Sequence, residues 1–132
     1  MIGIVIVAHG GLAREYLAAV EHVVGPQLGI TAIAILPEDD RATKQTEICN
    51  AADAVDVGDG VVIVTDIFGG SPSNLSLRAC SPQNRRIVYG MNLPLLIKLA
   101  KSRGRSVPDA VEAAMNAGRK YINCHTVGLV AE

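Results

Sequence analysis

Two stretches of the chain, GIVIVA at residues 3–8 and GVVIVT at 60–65, are apolar at consecutive rather than alternate positions. A strand with one wet face alternates apolar and polar side chains; an unbroken aliphatic run of this length fits a strand covered on both faces, the condition of a parallel sheet between helical layers. Amphipathic segments of ten residues or more follow such runs along the chain, so the pattern predicts a three-layer α/β domain with right-handed crossovers. Strands are expected near 2–8, 30–36, 60–65, 86–90 and 125–130, and helices near 12–24, 40–55, 72–79, 93–102 and 107–119. The first helix is expected to bury a stripe of Leu12, Tyr16, Ala19, Val20 and Val23 and to stop at Gly25-Pro26. The expected strand order is 2-1-3-4, with the first four strands parallel and residues 1–132 forming one domain.

Charge and composition exclude several classes. With 12 Lys and Arg against 13 Asp and Glu, and no block of like charges, the electrostatic footprint of a nucleic-acid binder is missing. No apolar run approaches the ~20 residues that a membrane-spanning helix needs. The start MIGIVIV lacks a charged region and a small-residue cleavage site, so a cytoplasmic location is expected. Cys49, Cys80 and Cys124 are widely spaced and in no metal-binding pattern, and are expected to be small buried side chains of a reduced protein. Arg85-Arg86 and the Lys101, Arg103, Arg105 cluster are read as solvated, and His22 and His125 as core residues.

In open α/β sheets, ligands gather beyond the carboxyl ends of strands where the strand order reverses, here between strands one and three. Strand one ends VAHGG, which puts His9 at its tip. Strand three ends VTDIFGGSPSN, which puts Asp66 at its tip, ahead of a glycine turn and a helix. A carboxylate that accepts a hydrogen bond from one imidazole nitrogen fixes the tautomer and leaves the other nitrogen with a free lone pair. Gly10-Gly11 allows a sharp turn and close approach of bare amides, while Gly69, Gly70, Ser71 and Pro72 read as a helix start with Ser71 as N-cap and Pro72 as first helical residue. Two helix N-termini near one histidine suit an anion such as phosphate. A third junction, VYGMNLP, has Asn92 and Pro94 opening a helix, whereas Glu38, Asp39 and Asp40 read as charges at another helix start.

Histidine nucleophile, orienting carboxylate and anion-binding amides together describe a site that could hold a phosphoryl group on a ring nitrogen. Such a site requires no metal or other cofactor when its donor is itself a phosphohistidine, since entering and leaving groups match. The sequence carries neither a Walker-type loop nor a carboxylate cluster of the kind that holds Mg²⁺ beside a nucleotide. Each feature also has a plainer use: Asp66 as a turn residue, GGSP as turn and cap chemistry. Their coincidence at adjacent strand ends favours the functional reading.

Three stretches, IVIVAHGGLAREYL, VTDIFGGSPSNLSLR and IVYGMNLPLLIKL, resemble in order and spacing the IIA domain of the mannose-type bacterial sugar phosphotransferase system, over essentially the whole chain. The resemblance implies a phosphocarrier whose His9 takes a phosphoryl group from the carrier protein HPr and passes it to a IIB domain. It further implies that Asp66 orients His9, that Ser71 lies at the phosphate pocket beside Gly10, Gly69 and Gly70, and that Phe68, Pro72, Asn92 and Pro94 belong to the pocket or partner surface. A homodimer is implied too, its parallel four-strand sheet completed by a C-terminal antiparallel strand crossing from the other subunit, a role that HTVGLV would fill. Ser73 departs from the aromatic residue that many members carry after the GGSP proline. No fused IIB domain is expected after residue 132, and the alternative is a regulatory IIA module switched by phosphorylation and acting on a partner outside transport.

Other chemistries with HG at the end of strand one fit less well. A histidine phosphatase would want arginine at Ala8, and a chelatase a second histidine where Asp66 stands. A receiver domain would need an acidic pair that the first strand lacks.

Overall fold

The computed structural model describes residues 1–67, 70–80 and 84–128. Its elements are β1 (Gly3–His9), α1 (Leu12–Val24), β2 (Ile30–Ile35), α2 (Arg41–Val55), β3 (Val61–Thr65), α3 (Ser71–Ser76) continued by a 3₁₀ turn (Leu77–Cys80), β4 (Arg85–Val88), α4 (Leu93–Lys101) and α5 (Val107–Lys120). The sheet is fully parallel in the order β2-β1-β3-β4, with Val7 opposite both Ile33 and Thr65. Strand order therefore reverses between β1 and β3.

The continuous aliphatic runs do what their pattern implies. Ile4, Ile6, Ala8, Val62 and Val64 point to one side, where they pack on α1, α4 and α5; Val5, Val7, Val61 and Ile63 point to the other, against α2 and α3. Side-chain alternation places His9 on the same side of β1 as Val5 and Val7, facing α2 and α3.

Several expectations need correction. α1 buries Ala13 and Val20, with Tyr16, Leu17 and Val24 packed beside them, while Leu12 and Val23 of the expected stripe are exposed. That stripe followed the larger apolar letters, but the sheet meets the helix along a face rotated toward the small Ala13. His22, His125 and Cys124 are exposed rather than buried, and Cys49 is half-buried.

Two arginines read as solvated are buried. Arg85 opens β4 and reaches Asp53 at 2.9 Å, Asp56 at 3.1 Å and the Ala79 carbonyl at 3.0 Å. Burial works against its charge, but the hydrogen bonds and fields of Asp53 and Asp56 outweigh burial and raise its pKa. Arg103 donates to the carbonyls of Ile2 and Gly29 and to Gln27, tying the starts of β1 and β2 to the α4–α5 connection. In both cases the partners are far away in sequence, so the local charge pattern carries no sign of burial.

Of the expected C-terminal strand, residues 125–128 form turn and irregular chain rather than strand, and 129–130 lie outside the described residues. Among the described residues no helix is long and apolar enough to cross a membrane.

Candidate active site

β1 ends at His9, and the chain turns at once through Gly10, whose φ of 57° falls in the left-handed region that glycine adopts at least cost. The Gly10 amide donates to the Ile35 carbonyl at the end of β2, which anchors the turn to the sheet. α1 then starts with Gly11 as N-cap, which offers no side-chain oxygen to the first-turn amides. The positive end of α1 thus begins two residues beyond the histidine.

Asp66 directly follows β3 and meets His9 across the switch point. Its Oδ2 lies 2.8 Å from His9 Nδ1 and 3.1 Å from the His9 main-chain nitrogen, and its Oδ1 accepts from the Ile67 amide at 3.0 Å. Burial pushes the Asp66 carboxyl up, but the hydrogen bonds from the ring and amide of His9, with the Ile67 amide, prevail and hold it below the ordinary aspartate value. The carboxylate is therefore ionised at neutral pH, and an ionised carboxylate only accepts, so Nδ1 carries the ring proton. Nε2 is left with its lone pair. The Asp66 side chain is only 12% exposed, whereas that of His9 is 50% exposed. The orienting group is sheltered and the reactive ring is open to an incoming molecule.

α3 supplies the opposite wall. Its N-cap is Gly70, in extended backbone, so Ser71 is the first helical residue and Pro72 the second. This corrects the expected Ser71 cap by one position: a glycine cap has no side-chain signature in sequence. A Cβ at 70 would sit 3.2 Å from His9 Cε1 and 3.1 Å from Ile67 Cγ1, close enough that the ring or Ile67 would have to give by a few tenths of an ångström. Ser71 borders, with His9 and Gly10, a cavity of about 510 Å³ that Leu36, Arg41 and Lys44 also line. The last three arrive on the β2–α2 connection and α2, which the sequence reading left out of the site; the signal was a cation-bearing helix start after β2, the strand next to His9.

Not every candidate converges here. Phe68 and Gly69 lie outside the described residues. Pro72 is buried. Asn92 caps α4, accepting from the Leu95 amide at 3.0 Å and donating to the Gly118 carbonyl at 2.8 Å, so its amide is used within the fold. Pro94 borders a separate groove with Lys98 and Tyr121.

Chemically, a fixed imidazole with a free Nε2, half open to solvent beside an uncapped helix start, is suited to serve as nucleophile or base toward an anionic group. Comparison with known proteins narrows that choice. The chain is 28% identical over 124 residues to the PTS system mannose-specific EIIAB component of Escherichia coli K12, a match that takes in 92% of this chain and spans 38% of that protein's length. It is 26% identical over 120 residues to the PTS system sorbose-specific EIIA component of Lacticaseibacillus casei, covering 89% of this chain and 86% of that one. The mannose/sorbose-specific IIA subunit from Enterococcus faecalis superposes with a TM-score of 0.86 over 98% of both chains at 21% identity, a likeness of fold. Residues 3–116 match the family described as EIIA-man, PTS system fructose IIA component, and the chain belongs to that family of the sugar phosphotransferase system.

Proposed function

We propose that the chain is a phosphocarrier that accepts a phosphoryl group on His9 Nε2 from phosphorylated HPr and passes it to a IIB domain of a sugar phosphotransferase system. The observation that carries the reading is the 2.8 Å contact between His9 Nδ1 and Asp66, which leaves Nε2 as the lone-pair nitrogen of a half-exposed ring. In the forward step the Nε2 lone pair forms a bond to phosphorus while the donor's nitrogen–phosphorus bond breaks, its electron pair returning to the donor imidazole. Nδ1 keeps its proton throughout, and Asp66 offsets the positive charge that the ring acquires. Donor and product are both phosphohistidines, so the free-energy change is small and transfer is reversible. Positioning and charge complementarity are then what the protein must supply.

Gly10, Gly70 and Ser71 would receive the phosphoryl oxygens; Gly69 and Phe68, outside the described residues, belong to the same reading, and Pro94 would lie toward the partner surface, whereas Pro72 is buried and Asn92 serves within the fold. A homodimer belongs to the same reading. β4 is an edge of the sheet, and the segment after α5 exposes Tyr121, Ile122 and Val127, features that suit a C-terminal strand laid on a second copy.

The test is incubation with phosphoenolpyruvate, enzyme I and HPr. One acid-labile, alkali-stable phosphate per chain is expected, lost in His9→Ala; labelling of His9→Ala at the native level would overturn the assignment.

A further inference from the structure

The cavity beside His9 holds more charge than the histidine–aspartate pair explains. Lys44 on its wall is already engaged, 2.8 Å from Glu47 and 3.8 Å from Asp39. Asp39 also accepts from the Leu36 amide at 2.7 Å, and Asp40 is spent capping α2 through the amide and hydroxyl of Thr43. Arg41, the first residue of α2, borders the same cavity, and its side chain makes no hydrogen bond or ion pair with any described residue. It is exposed and rooted on a helix that the Asp40 cap holds in place. An unengaged guanidinium on the cavity that Gly10 and Ser71 also line complements a tetrahedral dianion, because its planar fork offers paired donors to two oxygens.

We propose that Arg41 is a phosphoryl-binding residue, supplied by this chain itself, that clasps the phosphoryl oxygens on His9 from the cavity it shares with Ser71. The proposal rests on the phosphocarrier reading and adds to it a cation in cis. In a loose transfer state the charge lies on the three equatorial oxygens, where a guanidinium stabilises it most. Lys44 is shared between Glu47 and Asp39, so among the described residues Arg41 is the cation on the cavity wall whose side chain no carboxylate holds. Among the described residues, the charged or titratable groups that the other facing elements bring are Asp66, held on Nδ1 of the ring, and His9 itself.

The test separates a phosphate contact from a contact with a protein partner by using a donor with no protein surface. With phosphoramidate, the Nε2 lone pair bonds to phosphorus as the phosphorus–nitrogen bond of the protonated donor breaks, releasing ammonia. Arg41→Gln should be labelled about tenfold more slowly than the native chain, the cost of one charge-assisted hydrogen-bonding partner, and Arg41→Lys should recover part of that loss. In ³¹P NMR of the phosphorylated protein, the phosphoryl group's second ionisation should move up by about half a pH unit in Arg41→Gln, because a neighbouring cation favours the dianion. Native labelling rate and unchanged ³¹P titration in Arg41→Gln would overturn the proposal. So would slowing seen with HPr but not with phosphoramidate, which would make Arg41 a docking contact. Absence of label on His9 in the native chain with either donor would bring down the phosphocarrier reading, and the role of Arg41 with it.

Discussion

Asp66 holds His9 twice, accepting from the ring Nδ1 at 2.8 Å and from the main-chain amide at 3.1 Å through the same oxygen. One carboxylate thus fixes both the backbone at the tip of β1 and the tautomer of the ring. A replacement that keeps the shape but not the charge separates the two functions.

Asp66→Asn retains an oxygen for the amide contacts but loses the charge that balances a phosphorylated imidazole. Labelling of His9 by phosphorylated HPr should fall about 100-fold or more, by analogy with the loss of the orienting carboxylate in histidine-based triads. A thermal melt close to that of the native chain should accompany the loss. Unchanged transfer would remove Asp66 from the mechanism.

The depressed pKa of Asp66 has a pH signature. A carboxyl whose folded pKa lies below its unfolded value contributes stability that is fully present above the unfolded value, about 3.9, and is lost as pH falls through the folded one. The stability difference between the native chain and Asp66→Asn, followed by urea titration, should therefore be constant near neutrality and shrink only below about pH 4. A difference that disappears well above pH 4 would show that the Asp66 carboxyl is not its source.

Gly70→Ala probes the close wall of the site. The backbone at Gly70 has φ of −82°, which alanine adopts freely, so the added methyl acts only through its 3.2 Å approach to His9 Cε1. A ring displaced by a few tenths of an ångström should transfer phosphate about tenfold more slowly with little change in Tm. Single-turnover rates and a melting curve, measured together, check both halves.

Arg85 should matter for stability and not for chemistry, since it opens β4 at the end of the sheet opposite His9. Arg85→Ala strands Asp56 without its partner and leaves a void, at about 2–3 kcal/mol; the figure is held down because the Asp53 side chain is 66% exposed and stays hydrated. Arg85→Met, which fills the space, should cost less. Transfer rate per folded molecule should be native in both.

The fold was readable to the extent that burial is written into local letters. β1 and β3 announce themselves because a strand covered on both faces needs branched aliphatics at every position, and the histidine and aspartate that follow them are adjacent because the switch point lies there. What escaped were relationships between distant residues. Nothing around Arg85 foretells carboxylates 32 and 29 positions earlier, and nothing around Arg103 foretells carbonyls at the starts of β1 and β2. The cap of α3 slipped by one because backbone conformation alone makes Gly70 the cap, and the alanines of α1 hid which of two possible stripes meets the sheet.

The placement of His9 on a strand tip, with half its ring already facing water, bears on how fast a partner can be served. Among the described residues no lid covers the ring, so encounter and orientation of the two proteins, rather than a rearrangement inside this one, should pace the exchange. Raising salt or solvent viscosity would then slow transfer between proteins while leaving the reaction with a small donor nearly untouched.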